Sequence, residues 1–282
     1  MKNPIILLVG DAGSGKDTIG KTIADNYNGI TIGQADPMKR FAKKVFGFSD
    51  EQLWGSSEER NIPSEFTISS THEKLELHGP DWVDSILEPV NKTNLHRETV
   101  KELENWYWKH VVHRGDISSK APEVQLITPR YVLMTLGTEF VRESIDKDLW
   151  VDDALYYSRQ LLGGGFGYTR DKGLCRDGKQ AGYDYVVITD GRFRNEVVAV
   201  RFVGGATVRV IRAGSASQAA QKAGIQGHSS ETEQWQIPHH FFDEEIGNVG
   251  TLQDLERKTH AFMSLGFDDS RSYNALKSFP SF

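Results

Sequence analysis

One stretch, Ile5-Ile6-Leu7-Leu8-Val9-Gly10-Asp11-Ala12-Gly13-Ser14-Gly15-Lys16-Asp17-Thr18, constrains the fold more than any other in the 282-residue chain. Five apolar residues in succession suit a strand buried on both faces, the pattern of a central parallel strand. The glycine-rich turn opens onto Lys16–Tyr27, where Ile19, Ile23 and Tyr27 recur every fourth residue along one helical face. Strand, tight turn and helix in that order bring backbone N–H groups together at a helix N-terminus, which is an anion site. The spacing is that of a phosphate-binding P-loop except at its last position, where Asp17 replaces the usual Ser or Thr and Thr18 follows. Gly13, Ser14, Gly15, Lys16, Asp17 and Thr18 are therefore expected to hold the phosphates of a nucleoside triphosphate, with Lys16 reaching the β and γ groups. Mg²⁺ could be held by Asp17 directly, through water, or by Thr18; Asp17 could instead only favour its own helix terminus.

Four more β-branched or aromatic runs read as strands: Ile30–Ala35, Tyr185–Thr189, Thr207–Ile211 and His240–Ile246. Helical periodicity marks Pro37–Phe46, Thr128–Ser144, Arg194–Val203 and Thr251–Leu265. Strands alternating with helices predict an α/β P-loop NTPase three-layer fold, a five-stranded parallel sheet covered on both faces. The cluster Gly163–Gly167 reads as a local flexible loop.

Charge divides the chain unevenly. Between Phe48 and Leu126 stand 15 acidic and 8 basic residues, net −7, against +1 for the remainder, and the same stretch carries four of the six tryptophans. The shift marks residues 48–126 as an inserted or appended subdomain, with 1–47 and 127–282 as the core around it and a polar stretch near 213–231 that reads as a mobile lid. The overall charge of −6 argues against a protein built to coat nucleic acid. No run reaches the length of a membrane span, and the N-terminus does not read as a secretory signal. The lone Cys175 excludes an internal disulfide and a cysteine zinc site. A cytoplasmic protein is expected, with a homodimer left open. His110 and His113 lack companions at metal-ligand spacing and read as surface or local packing residues, and Trp106-Tyr107-Trp108, in acidic surroundings, reads as subdomain core rather than a base-stacking platform.

The acceptor side rests on cations at element ends. Tyr185–Thr189 runs into Asp190-Gly191-Arg192, at a strand's carboxyl edge, where open α/β sheets bind ligands. Asp190 could organise Mg²⁺ or take a proton from the attacking group, and Arg192 could hold a second phosphate; Asp190 could equally cap the next helix. Arg130 and Arg142 share a predicted helix. Transfer between two polyanions needs several cations, and the guanidinium fork suits phosphate, although each arginine could also be a solvated surface charge. Arg209 and Arg212 carry the same alternatives.

Taken together, the motifs resemble the bacteriophage-type deoxynucleoside monophosphate kinases, a branch of the P-loop nucleoside monophosphate kinases. The matching pieces are Gly13–Thr18, Ala35–Arg40, Leu136–Glu139 with Arg142, Asp148–Val151, Asp190–Glu196, His228–Glu231 and Asn248–Thr251. Gly191 and Arg194 depart from the pattern, standing where members often carry Val and Pro, and Phe48–Val124 matches nothing in it. The resemblance implies ATP with Mg²⁺ as donor and a deoxynucleoside 5′-monophosphate as acceptor, with small nucleotides as partners and the host cytoplasm as the compartment if the protein is phage-encoded. It also implies that residues 48–126 form a mainly helical, acceptor-binding subdomain inserted in a kinase core of 1–47 and 127–282. It implies Lys16, Arg142, Asp190 and Arg192 in catalysis, and Asp17, Thr18 and Asp190 at the metal. It adds Asp36, Lys39, Trp150 and Glu231 to Arg130, Arg142 and Arg192 on the acceptor, with Arg212 and His228 in the lid. Two other readings remain: a P-loop kinase acting on another acceptor, such as a hydroxymethylated base in DNA or a small phosphometabolite, and a nucleotide-binding switch.

Overall fold

The computed structural model describes residues 4–114, 122–212 and 229–264, with 229–231 described by backbone alone. In chain order the main elements are β1 (Ile5–Val9), α1 (Lys16–Asn26), β2 (Gly29–Ile32), α2 (Asp36–Phe46), α3 (Asp50–Trp54), β3 (Ser64–Thr67), α4 (Ile68–Leu87), α5 (His96–Trp106), β4 (Val124–Ile127) and α6 (Pro129–Met134). They continue with α7 (Leu149–Gly163), β5 (Phe166–Thr169), β6 (Gly173–Arg176), β7 (Tyr185–Gly191), α8 (Arg194–Phe202), β8 (Ala206–Ile211), α9 (Ser229–Gln236), β9 (Glu244–Gly247) and α10 (Leu252–Ser264). The chain divides into two compact units, residues 1–34 with 154–282, and residues 35–153. Among the described residues no helix is long and apolar enough to cross a membrane.

The first unit is built on a five-stranded parallel sheet in the order β2-β7-β1-β8-β9. All five residues of β1 are buried, as a central strand covered on both faces requires. Alternation assigns the faces: Ile6, Leu8, Val187, Val208 and Val210 form one core with Ile19 and Ile23 of α1 and Leu255, Phe262 and Met263 of α10. Helix α8 packs against β1 and β8, and its buried Val197 and Val200 stand outside that cluster. The result is the three-layer α/β architecture of P-loop NTPases. The chain changes direction at the sheet's carboxyl edge, and the first turn there is the loop between β1 and α1.

Gly191 has a packing reason. A Cβ there would lie 2.8 Å from Leu7 Cδ1 and 2.9 Å from Val9 Cγ2. The β1–β7 register shifts between Leu7 and Val9, pairing Val9 with Gly191. A glycine lets the two strands stay close across that irregularity. Arg194 also earns its place, because its N–H donates to Glu233 Oε1 at 3.3 Å, a bond that a proline could not make.

The second unit has its own core, which joins the acidic segment to residues on either side of it. Phe41 of α2 stacks on Trp82 of α4 with ring centroids 4.3 Å apart, and Trp82 Nε1 donates to the Pro37 carbonyl at 3.2 Å. Trp106 Nε1 donates to Thr135 Oγ1 at 3.2 Å, and the Tyr107 hydroxyl donates to the Ile68 carbonyl at 3.0 Å. Trp106 and Tyr107 are thus core residues, as expected. Trp108 is not: it is 38% exposed, with its ring against His72 and His113.

Three sequence expectations need correction. The cluster Gly163–Gly167 is not simply a loop: Gly163 ends α7, and Phe166 and Gly167 begin an antiparallel β5–β6 hairpin. The last strand is Glu244–Gly247 rather than His240–Ile246, because His239–Phe241 closes into a short 3-10 turn. The helix expected over Thr128–Ser144 is α-helical only to Met134 and continues as π-helical turns over Thr135–Ile145. Thr128 does cap it, accepting from the Tyr131 N–H at 3.3 Å, with Pro129 in the first turn.

Candidate active site

The β1–α1 loop is held from several sides. Gly13 and Gly15 take positive φ, +77° and +107°, which favours glycine at both. Lys16 Nζ donates to the Gly10 and Asp11 carbonyls, both at 2.6 Å. Arg212, at the end of β8, donates through Nη1 to the Gly13 carbonyl at 3.1 Å. Asn248, following β9, donates through Nδ2 to the Ser14 carbonyl at 2.8 Å. The buried Asp11 side chain accepts from Gln234 Nε2 of α9 at 2.6 Å. Beside the loop lies a cavity of about 340 Å³ lined by Gly13, Gly15, Lys16, Asp17, Thr18, Arg212, Asn248, Gly250, Leu252 and Leu255. It offers backbone amides and cations on one side and an apolar wall on the other.

Electrostatics at the loop favour an anion. The Lys16 amine is lowered to about 8, first because burial penalises its charge and then because the Arg192 cation is close, against the opposing pull of Asp17, Asp190 and Asp11. A half-buried lysine kept near a guanidinium gains most from a polyanion, whose charge offsets both penalties. Asp190, within β7 near its carboxyl end, accepts from the Gln34 N–H at 2.8 Å through Oδ1. The start of α8 is served by Glu196, whose Oε2 accepts from the Arg192 and Phe193 N–H groups at 2.7 and 3.0 Å.

Asp17 and Thr18 line the same cavity. Among the described residues no group of three or more His, Cys, Asp or Glu side chains could hold a metal ion by itself. That donor set fits a hard cation that keeps most of its waters and takes further oxygens from phosphate, as Mg²⁺ does, rather than a cation caged by protein.

The remaining expected residues lie in the second unit or outside the description. Asp36 is buried and accepts from Trp54 Nε1 at 2.8 Å, with Lys39 Nζ 3.6 Å away. Trp150 is a core residue, donating from Nε1 to the Gly137 carbonyl at 3.1 Å. Arg130 donates to Asn61 Oδ1 at 2.7 Å and also to Ser57, while Arg142 donates to the Lys147 carbonyl at 2.8 Å. Asp36 and Lys39 thus meet each other, whereas Arg130 and Arg142 have separate partners. Glu231 belongs to α9, but its side chain lies outside the described residues, as do His228 and most of the expected lid.

Arg209 resolves as a structural residue. It is buried in β8, donates to Glu245 Oε1 at 3.2 Å and to the Gln234 and Ile237 carbonyls, and faces the Phe242 ring at 4.1 Å. Sequence reasoning gave no role to Asn248 or Gln234. Asn248 stood in a quoted motif, and only its bond to Ser14 singles it out; Gln234 carries no local signal.

Residues 4–259 match the family model described as deoxynucleotide monophosphate kinase. Over 93 residues the chain is 33% identical to a protein of Acanthamoeba polyphaga mimivirus provisionally named a deoxynucleotide monophosphate kinase. That alignment takes in 31% of this chain and 48% of the viral protein, so it spans about half of that relative's length. With the loop, the sheet order and the family match in agreement over nearly the whole chain, this protein belongs to the deoxynucleotide monophosphate kinase family.

Proposed function

We propose that the chain transfers the γ-phosphoryl group of ATP to a deoxynucleoside 5′-monophosphate, giving the diphosphate and ADP for DNA synthesis. The observation that carries this reading is Lys16: a buried amine lowered to about 8, beside Arg192, in a glycine loop opening on a cavity. The Gly13–Thr18 sequence, with Asp after the lysine, further suggests the bacteriophage-type branch of the family. Residues 48–126 we assign to the acceptor side, and the enzyme to the cytoplasm that holds the deoxynucleotide pool.

In this reading catalysis is positioning and charge neutralisation, without a protein nucleophile. The amides of Gly13 and Gly15 cradle the donor phosphates, joined by the Ser14 N–H once it gives up the Asp11 carbonyl that accepts it at 3.1 Å. Lys16 exchanges its carbonyl partners for the β and γ oxygens, where charge builds during transfer. Asp17 or Thr18, together with Asp190, would hold Mg²⁺, which would supply charge neutralisation at the donor oxygens. Arg142, Arg130 and Arg192 hold the acceptor phosphate, Asp36, Lys39 and Glu231 orient the acceptor, and Trp150 shapes its pocket from the core. His228 and Arg212 belong to the lid side, Arg212 already gripping the loop at Gly13.

A panel of deoxynucleoside monophosphates, modified pyrimidines included, tests the reading with ATP and mass detection of products. Diphosphate from at least one of them is expected. Silence across the panel, or ATP consumption only with hydroxymethylated DNA, refutes it. Lys16→Ala is expected to lower kcat at least about a hundredfold with the circular dichroism spectrum unchanged; near-wild-type turnover removes the loop from the mechanism.

A further inference from the structure

We propose that Asn248 is a positioning residue of the phosphate loop, tethering the Ser14 carbonyl so that the neighbouring amides remain available to the donor's phosphates. The proposal rests on the reading of Gly13–Thr18 as the donor site. A loop that gathers its N–H groups around an anion must find other partners for its carbonyls. In this loop the Gly10 and Asp11 carbonyls accept from Lys16, the Gly13 carbonyl from Arg212, and the Ser14 carbonyl from Asn248 Nδ2 at 2.8 Å. The first two ties are provisional, since an amine that turns to phosphate gives up at least one of them. The Asn248 tie needs no such exchange.

Asn248 is itself well anchored. Its N–H donates to the Ile211 carbonyl at 2.7 Å, carrying the β8–β9 pairing one residue beyond Gly247. A short side chain fixed to the end of a sheet loses little freedom in making its bond, unlike the long and exposed Arg212. The contact is also close. A Cβ on Gly15 would lie 2.7 Å from Asn248 Nδ2 and 2.9 Å from Leu255 Cδ2, so the loop is pressed against this amide where Gly15 already needs φ of +107°. Nδ2 is the side chain's donor, and an aspartate of the same size would set a carboxylate against a carbonyl instead.

The test measures equilibrium binding of ATP and, separately, of inorganic tripolyphosphate to wild type, Asn248→Ala and Asn248→Asp, with steady-state KM values for ATP and acceptor. Both variants are expected to weaken ATP and tripolyphosphate by the same factor, about tenfold for alanine and more for aspartate, with the acceptor KM unchanged. Asn248→Leu, measured alongside, retains the size that packs on Gly15 without a donor and without added charge, so it reads the hydrogen bond even if the alanine variant does not fold. Folded variants that bind both ligands like wild type overturn the proposal and leave the donor-site reading standing. Loss of ATP affinity with tripolyphosphate unaffected also overturns it, since Asn248 would then act on the nucleoside. Wild-type protein that binds neither ligand refutes the donor-site reading itself.

Discussion

Asp153→Asn is the most revealing single change outside the loop. Asp153 lies in α7, 3% exposed, with Oδ1 buried and without a hydrogen-bond partner. Burial raises its carboxyl from 3.8 to about 7, although Arg40 pulls the other way. The folded protein therefore keeps a proton up to neutral pH that the unfolded chain releases near pH 4. Across that window the native state binds more protons, so stability falls as pH rises, by up to about 1.4 kcal/mol per pH unit. Between pH 5 and pH 7 the two titrations leave a loss of about 2 kcal/mol attributable to this group. Asparagine cannot ionise and abolishes that slope. Other titrating groups cancel when the variant is compared with wild type at each pH, and so does any constant cost of burying the amide. Urea unfolding followed by tryptophan fluorescence at pH 5, 6 and 7 is the assay, and it reports the right unit, because five of the six tryptophans lie within residues 35–153. The variant is expected to gain about 2 kcal/mol on wild type from pH 5 to pH 7. Stability curves that run parallel over this range would mean that Asp153 is ionised throughout, held by Arg40, and would refute the reasoning.

Three further outcomes are expected. With Lys16 lowered to about 8, ATP affinity should fall about tenfold per pH unit above that value, and binding near pH 8 should take up protons; calorimetry in buffers of different ionisation enthalpy reads this, and zero uptake removes Lys16 from the phosphate contact. Asp190→Asn retains an acceptor for the Gln34 N–H but loses its charge, so kcat should fall about tenfold or more while ATP affinity changes little; unchanged turnover leaves Asp190 a structural residue. Arg142→Lys should raise the acceptor KM and lower kcat/KM about ten- to a hundredfold with ATP binding unchanged, because lysine lacks the fork; a surface arginine would give no effect in the same assay.

Much of the first unit was legible in the sequence because its signals are local. Ile5–Val9 and the start of α1 at Lys16 fall where an apolar run and a glycine turn place them. Helix α7 escaped because it is buried on several sides: Leu149, Trp150, Val151, Asp153, Leu155, Ser158 and Leu161 are all buried, and only a narrow stripe through Asp152, Tyr156 and Arg159 is left to mark its period. The π-helical turns over Tyr107–Val112 and Thr135–Ile145 follow no residue preference that a sequence displays. The acidic segment was visible as a change in charge, yet its core partners were not. Phe41 stacks on Trp82 across 41 positions of sequence, and nothing in either residue's neighbours announces the other.

The candidate site divides along the same line. Lys16 and its glycines are local, and the loop that they form is the loop expected. What tunes them comes from far along the chain: Arg192, which helps lower Lys16, lies 176 positions away in sequence, and Asn248 reaches Ser14 across 234. A cation is legible as a charge, but its partner is settled only by folding. Arg209 and Arg212 carried the same alternatives in the sequence, three residues apart. Period-2 alternation points Arg209 with Thr207 toward Asp243, Glu245 and Phe242, where it is enclosed, while Arg212 lies past the end of β8 and reaches Gly13. The parity of a strand position, together with where that strand stops, thus separates a structural arginine from one beside the phosphate loop. The same reasoning sets Asn248, one residue past the end of β9 and bonded to the Ser14 carbonyl, beside the loop, whereas Glu245 within that strand is a partner in the fold.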